Sequence, residues 1–267
     1  MAVVKNISIA LLAALSALGF YHTLYKINHN GTAHKIDATI KAGKLPGSNQ
    51  PLLTQYTHIP YLDGFLTTLV TFFYPLVDWS HPAGSLQLYH FMGQIAAAWG
   101  LLTIESLRKG HSWRFVSYIT LWGLAIQAVM FAVVGPILLI THLLTSPTIS
   151  NPKIRDLELE KEDILSIFPA IFIGFVIPTV LMAMPVSFCC GYDTKQILIC
   201  IWQFFPVWVL LARSGISSIV KLLQPRTSTS RAVNSFKYLR GLYAILLAVS
   251  VWNHLSTAQV LAESYLE

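Results

Sequence analysis

The chain has 267 residues, of which 54% are hydrophobic and only 11% are charged. Soluble domains carry about 25% charged residues, so this composition excludes an ordinary soluble protein and predicts an integral membrane protein. The formal net charge of +6 comes from Lys and Arg in the loops between apolar runs, which is typical of cytoplasmic loops. A nucleic-acid partner is not expected, since no basic face carries interleaved aromatic residues.

Apolar runs recur along the whole chain, and no stretch is typical of a separate soluble domain. Most of these runs are close to the roughly 20 residues that cross a hydrocarbon core as a helix. The predicted helices cover residues 7–24, 60–79, 86–107, 113–145, 164–184, 195–223 and 238–261. We therefore expect a single transmembrane domain over residues 1–267.

The run at 113–145 decides the number of helices. As one helix it would reach about 50 Å, which is too long for a single perpendicular span. Two short helices joined near Gly135-Pro136 would place almost all Lys and Arg on one side of the membrane, with both chain ends on the other. The sequence thus predicts an all-α, polytopic membrane helix bundle with eight transmembrane helices, or seven if 113–145 is one kinked helix.

Two neighbouring predicted helices carry polar stripes at helical spacing. On the helix at 60–79 the stripe consists of Asp63, Thr67, Thr71, Tyr74 and Asp78. On the helix at 86–107 it consists of Gln87, His90, Gln94 and Glu105. An ionisable group inside a membrane helix costs at least about 2.5–3.5 kcal/mol, so it normally faces a protein interior or an aqueous cavity. The stripes predict a chamber within the bilayer that holds acids.

Three carboxylates are candidate acids, each with a structural alternative. Asp63 and Asp78 lie about 22 Å apart along one helix, so they cannot form one catalytic pair. Asp78 is either a buried proton donor or an interfacial cap of the following hairpin. Glu105 is either an acid or the ion-pair partner of Arg108 at i+3. Asp63 is either an acid or a residue that complements the positive end of its helix.

Further polar and aromatic groups also have two interpretations. His90 and Gln94 lie one turn apart and either hold a substrate group by hydrogen bonds or join neighbouring helices, and Asn253 has the same alternatives. Deep tryptophan rings either stabilise a cation in an acidic pocket or pack against lipid. The rings in question are Trp99, Trp122 and Trp202.

Several motifs of cofactor chemistry are absent. The sequence contains no DDxxD or NDxxDxxxD run for magnesium diphosphate, and the DxDD acid motif is also missing. No P-loop, GxSxG or dinucleotide fingerprint is present. The predicted chemistry therefore needs no metal ion, nucleotide or other cofactor.

Short strings carry a resemblance to a known family. They are FFYPLVD at 72–78, SLQ at 85–87, FMGQ at 91–94, ESLR at 105–108 and HLLTSP at 142–147. These strings are similar to those of fungal integral-membrane meroterpenoid (terpene) cyclases of the ascofuranone and macrophorin type. The resemblance is densest over residues 56–110.

The resemblance implies cyclisation of a farnesyl chain attached to a phenolic or cyclohexenone head group. Protonation of a terminal epoxide or alkene would start the reaction, with Asp78 as the leading acid and Asp63 and Glu105 as rivals. Quenching by a substrate hydroxyl would give an ether ring, and proton loss would give an alkene. Stripes and resemblance together predict a substrate-binding set of Tyr74, Gln87, His90, Gln94, Trp99, Trp122, Trp202 and Asn253.

The expected partners are a lipid-soluble farnesylated substrate and membrane lipid, and the expected location is the endoplasmic reticulum membrane. Two other classes of function fit the composition. A transporter or lipid-binding membrane protein would use the buried carboxylates to relay protons or bind a solute. A structural membrane subunit would use the polar groups only for packing.

Overall fold

The computed structural model describes residues 2–151, 153–188, 191–223 and 231–264. The regular structure in these residues is helical, with one isolated bridge between Lys44 and Pro51. The predicted all-α class is therefore confirmed. The helices longer than one turn are α1 Ala2–Phe20, α2 Thr32–Ala42, α3 Pro60–Val77, α4 Pro82–Ser106, α5 Ile119–Val129, α6 Phe131–Thr145, α7 Lys161–Ile171, α8 Ile177–Ala183, α9 Tyr192–Gln203, α10 Phe205–Leu223 and α11 Arg231–Ser264.

Two of these helices continue through π-helical turns. Residues Tyr21–Tyr25 extend α1 towards His29, and Phe172–Val176 join α7 to α8. The second turn lies between Pro169 and Pro178, which lack the amide protons that an α-helix needs for its regular hydrogen bonds.

The run at 113–145 contains two helices, but the predicted position of the break is wrong. The break lies at Met130, whose φ of 96° is outside the helical region, and not at Gly135-Pro136. Pro136 is accommodated inside α6. Ser16 of α1 donates a hydrogen bond of 2.9 Å to the carbonyl of Val133, next to the carbonyl that Pro136 leaves without its helical partner.

Two other segments differ from the sequence prediction. The predicted helix at 195–223 is divided at Phe204 into α9 and α10, where Pro206 near the start of α10 favours a new helix. The predicted polar loop after the first helix contains α2. In contrast, α3 and α4 lie within a few residues of their predicted bounds.

Several described helices are compatible with membrane association. Four segments are long and apolar enough to cross a bilayer: Val3–His29, Ile154–Ala183, Phe205–Leu223 and Lys237–Ser264. The apolar helices α5 and α6 are shorter, at roughly 16 and 22 Å against a core of about 30 Å. The count of eight spans is not confirmed and stays a prediction.

The contacts divide the described residues into two compact units. The first unit comprises the described residues of Met1–Ile27, Ala98–Gly174 and Pro206–Leu246. The second unit comprises those of Asn28–Ala97, Phe175–Phe205 and Leu247–Glu267.

Close helix packing organises both units. In the first, α1 packs along α6, and a Cβ atom at Gly19 would lie only 2.3 Å from the carbonyl oxygen of Ala132. A glycine at this point allows the two backbones to approach closely. In the second unit, α3 packs against α2 and α9, and α8 packs against α9.

Candidate active site

The polar stripe of α3 faces the interior of the second unit. Asp63, Thr67, Thr71 and Tyr74 are at most 5% exposed, whereas Asp78 is half-buried. The predicted burial of the stripe is therefore confirmed for the first four residues. Both threonine hydroxyls donate to carbonyls of their own helix, Thr67 to Asp63 and Thr71 to Thr67. The groups of the stripe that remain for chemistry are Asp63, Tyr74 and Asp78.

Tyr74 and Asp78 form a pair at the C-terminal end of α3. The helix ends at Val77, and Asp78 occupies the C-cap position one turn after Tyr74. The Tyr74 phenol is close enough to the Asp78 carboxylate for the two groups to interact electrostatically. The backbone N–H of Ser80 also donates to Asp78 Oδ1 at 2.9 Å. Asp78 therefore caps the end of α3 and the following hairpin, one helical turn from a buried phenol.

A fully buried lysine lies at the same end of α3. Lys195 of α9 is 0% exposed, and its Nζ donates to the carbonyls of Val77, at 3.2 Å, and Met184. These carbonyls stand at the C-terminal ends of α3 and α8, where carbonyl groups lack helical partners and the helix dipole is negative. The lysine thus joins the ends of two helices, one of them at the residue before Asp78.

Asp63 has a different environment at the N-terminal end of α3. Its Oδ1 accepts hydrogen bonds from the N–H of Tyr56 at 3.1 Å and of Thr57 at 2.7 Å, and from Thr57 Oγ1 at 2.8 Å. Three donors favour the ionised carboxylate and fix the loop that precedes α3. Burial raises the pKa of the Tyr56 phenol, and the neighbouring Cys200 thiol and Asp63 carboxylate raise it further.

A polar contact joins α4 to α11 within the second unit. Gln94 Nε2 donates to the carbonyl of Ser250 at 3.1 Å, and Ser250 Oγ donates back to Gln94 Oε1 at 2.7 Å. Asn253 Nδ2 donates to the carbonyl of Tyr89 at 3.1 Å. A Cβ atom at Gly93 would lie 2.2 Å from Asn253 Cγ, so the glycine makes this contact possible. Gln94 and Asn253 therefore join helices, which was one of their two predicted roles.

A cavity of about 390 Å³ lies beside this contact, and it is open to the surface, where Val251, His254 and Leu255 are exposed. The rings of His90 and His254 are 5.4 Å apart between centroids. His90 Nδ1 is buried and has no hydrogen-bond partner among the described residues. Gln87 is exposed and does not line the cavity. The lining residues are His90, Gln94, Ser250, Val251, His254 and Leu255.

Trp202 belongs to an aromatic cluster of the second unit. It is 2% exposed, and its ring centroid lies 5.7 Å from that of Phe73, 6.2 Å from that of Phe175 and 5.6 Å from that of Phe205. Its Nε1 donates to Thr179 Oγ1 at 2.9 Å. The ring thus packs among other aromatic side chains and has its polar atom satisfied.

Comparison with known proteins places this chain in a family. The family model described as the CtvD domain matches residues 7–266, which is nearly the whole chain. The chain belongs to the CtvD domain family.

Curated relatives of this CtvD chain are terpene cyclases of fungi, which confirms the predicted resemblance. Terpene cyclase ascI of Acremonium egyptiacum is 29% identical over 78% of this chain and 53% of its own length. Terpene cyclase ctvD of Aspergillus terreus is 30% identical over 77% of this chain and 59% of its own length. The chain thus spans little more than half of these relatives. No solved structure matches.

The first unit of this CtvD chain contains the other candidate acid, Glu105. Arg108 Nε lies 2.9 Å from both carboxylate oxygens of Glu105, which confirms the predicted ion pair. Arg108 also donates to the carbonyl of Leu157 at 2.7 Å and to the hydroxyl of Tyr243 at 3.1 Å. The charge of Glu105 is compensated, and the pair ties the end of α4 to α11.

Two predicted aromatic residues also lie in the first unit. Trp99 is 2% exposed, and a Cβ atom at Gly123 would meet its ring at 2.3 Å. Trp122 is half-buried and donates from Nε1 to the carbonyl of Phe115 at 3.0 Å. The contacts of both rings are therefore with other residues of the first unit.

Three notable residues of the second unit were not predicted as site residues: Lys195, Tyr56 and Gln203. Lys195 shares the buried face of α9 with Ile199 and Trp202, so its helical spacing was a usable signal. Gln203 is 3% exposed, and neither atom of its amide has a hydrogen-bond partner among the described residues. Tyr56 stands in a loop, where no periodicity marks it.

Proposed function

We propose that this chain is a terpene cyclase that cyclises the farnesyl chain of a meroterpenoid. The reaction would start with protonation of a terminal epoxide or alkene and would need no metal ion. The observation that carries this proposal is the CtvD family match over residues 7–266, together with relatives that are named terpene cyclases. The whole protein's activity is a proposal because the chain covers only 53% of the first relative and 59% of the second.

Asp78 is the proposed proton donor. Its O–H bond would break as the proton passes to the epoxide oxygen or the terminal alkene carbon. This leaves a tertiary cation, which the next double bond of the farnesyl chain attacks to close a ring. This role is supported by the hydrogen bond from the Ser80 N–H, which orients the carboxyl, whereas Asp63 accepts three such bonds. Loss of a proton from the final cation, or from a hydroxyl that captures it, restores the proton balance. The product is therefore an isomer of the substrate.

The two rival carboxylates are less suited to donate a proton. Asp63 accepts three hydrogen bonds on one oxygen, and these favour the ionised form. Glu105 is held in an ion pair by the guanidinium of Arg108, so its charge already has a partner. Tyr74 and Trp202 are the aromatic groups of the second unit that we propose to stabilise the cation.

We further propose that the substrate reaches the protein from membrane lipid. The four long apolar segments support an integral membrane protein, and eight spans in the endoplasmic reticulum membrane remain our proposed topology. A farnesylated phenol partitions into lipid, so a cyclase that acts on it gains from residence in the bilayer.

The test is incubation of microsomes that contain the protein with farnesylated phenols and their terminal epoxides. We expect a product of unchanged mass that is absent from microsomes without the protein. In deuterated water, protonation of an alkene leaves one deuterium on carbon, whereas protonation of an epoxide leaves none. If no substrate is consumed while a solute flux across the vesicles appears, the chain is a transporter and the proposal is wrong.

A further inference from the structure

The cavity between α4 and α11 has unused hydrogen-bonding capacity at one buried atom. The amide of Gln94 and the hydroxyl of Ser250 are bonded to each other, and Gln94 also reaches Asn253. His90 Nδ1, in contrast, is buried with no hydrogen-bond partner among the described residues. A buried polar atom in this state is costly, and it commonly marks the place of a water or ligand atom.

The imidazole of His254 indicates which kind of group can bind beside His90 Nδ1. His254 faces His90 with 5.4 Å between ring centroids. A neutral imidazole has one donor and one acceptor nitrogen, so two such rings can hold one hydroxyl group, which donates to one ring and accepts from the other. Within the described part of the chain no Asp, Glu, Lys or Arg lines the cavity, and Val251 and Leu255 supply apolar surface. This lining favours a neutral, hydroxyl-bearing ring over a charged ligand.

We propose that this cavity binds the phenolic head group of the prenylated substrate, with His90 Nδ1 accepting a hydrogen bond from the ring hydroxyl. The identity of the ligand as a prenylated phenol rests on the proposed function. His90 lies about 12 Å along α4 from Pro82, the first residue after the hairpin that carries Asp78. A head group bound at His90 would therefore lie apart from Asp78, and the prenyl chain would have to reach from one to the other.

The test is a binding measurement that does not depend on turnover. The protein is purified in detergent, and its affinities for a farnesylated phenol and for the methyl ether of the same compound are compared. The ether has the same ring and chain but no hydroxyl proton. We expect the wild-type protein to bind the phenol about tenfold more tightly than the ether, as befits one buried hydrogen bond.

Three variants separate the hydrogen bond from a general effect on folding. His90→Leu should bind phenol and ether equally, because it removes the acceptor. His90→Asn should keep part of the preference, because an amide atom replaces Nδ1 at a similar position. His34→Leu is the matched control, since His34 is an exposed histidine on α2, and it should keep the full preference.

Each outcome decides either the inference or the proposed function. Equal affinity of the wild-type protein for phenol and ether, or an unchanged preference in His90→Leu, overturns the inference. A preference that depends on His90, without formation of any product, supports the cavity and contradicts the cyclase function. Product formation without a preference that depends on His90 supports the function and overturns the inference.

Discussion

Lys195 places a cation at the C-terminal ends of two helices, and its removal should be costly. Lys195→Met leaves the carbonyls of Val77 and Met184 without the ammonium, and we expect a loss of about 1–3 kcal/mol of stability. The melting temperature in detergent should fall by roughly 2–10 °C. Lys221→Met removes an exposed lysine of α10 and is the matched control, for which we expect little change. Equal melting temperatures for the two variants would contradict this role.

Substitution of Gln203 is expected to raise the stability of the protein, in contrast to substitution of Lys195. Both atoms of its amide are buried without hydrogen-bond partners among the described residues, so Gln203→Leu should raise stability by about 1 kcal/mol. The melting temperature of the detergent-solubilised variant measures this. A lower melting temperature would show that the amide has a partner, such as an ordered water, that stabilises the fold.

At the residue scale, the sequence predicted groups that repeat along a helix and missed groups that depend on another segment. The stripe from Asp63 to Tyr74 was predictable because helical spacing places these residues on one face. The Glu105–Arg108 pair was predictable because i+3 neighbours meet. The role of Lys195 depends on where α3 and α8 end in space, and no local pattern contains that information. The catalytic and substrate-binding roles of the predicted set stay predictions.

At the element scale, the contact between α4 and α11 depends on one glycine. A Cβ atom at Gly93 would lie 2.2 Å from Asn253 Cγ and 2.5 Å from its amide atoms, so Gly93→Ala must displace Asn253 from Tyr89. We expect Gly93→Ala to lower the free energy of unfolding by about 1–3 kcal/mol. Gly64→Ala in α3 is the matched control, because nothing lies within 4 Å of a Cβ atom there. In thermal unfolding, Gly64→Ala should be as stable as the wild-type protein or more stable. An equal loss of stability in Gly64→Ala and Gly93→Ala would contradict the role of Gly93.

The boundaries of the helices show which sequence signals are reliable. The start of α3 was predictable because Pro60 stands at its first position, whereas α4 begins at Pro82, four residues before its predicted start at residue 86. The break in 113–145 was expected at Gly135-Pro136, the usual helix breakers, whereas Met130 adopts a positive φ that its residue type does not predict. Pro136 stands inside α6 and leaves the carbonyl of Ala132 without its helical donor, and Ser16 of α1 bonds the adjacent carbonyl of Val133.

At the scale of the whole molecule, the location of the two chain ends tests whether the number of transmembrane spans is even, as proposed. Eight spans place both chain ends on the same side of the membrane, and the distribution of Lys and Arg places that side in the lumen. Acceptor sequences for N-glycosylation, each with a flexible spacer, can be fused to either end. We expect both fusions to be glycosylated in microsomes. Modification of only one end would indicate an odd number of spans.

Asp78 is the proton donor of the proposed mechanism, and one measurement tests this role directly. Initial rates of isomer formation are compared for wild type, Asp78→Asn, Asp63→Asn and Glu105→Gln at equal amounts of folded protein in microsomes. We predict that Asp78→Asn lowers the rate at least about hundredfold, since general acid catalysis contributes that much, while the other two variants lose less. Full turnover by Asp78→Asn would contradict the account.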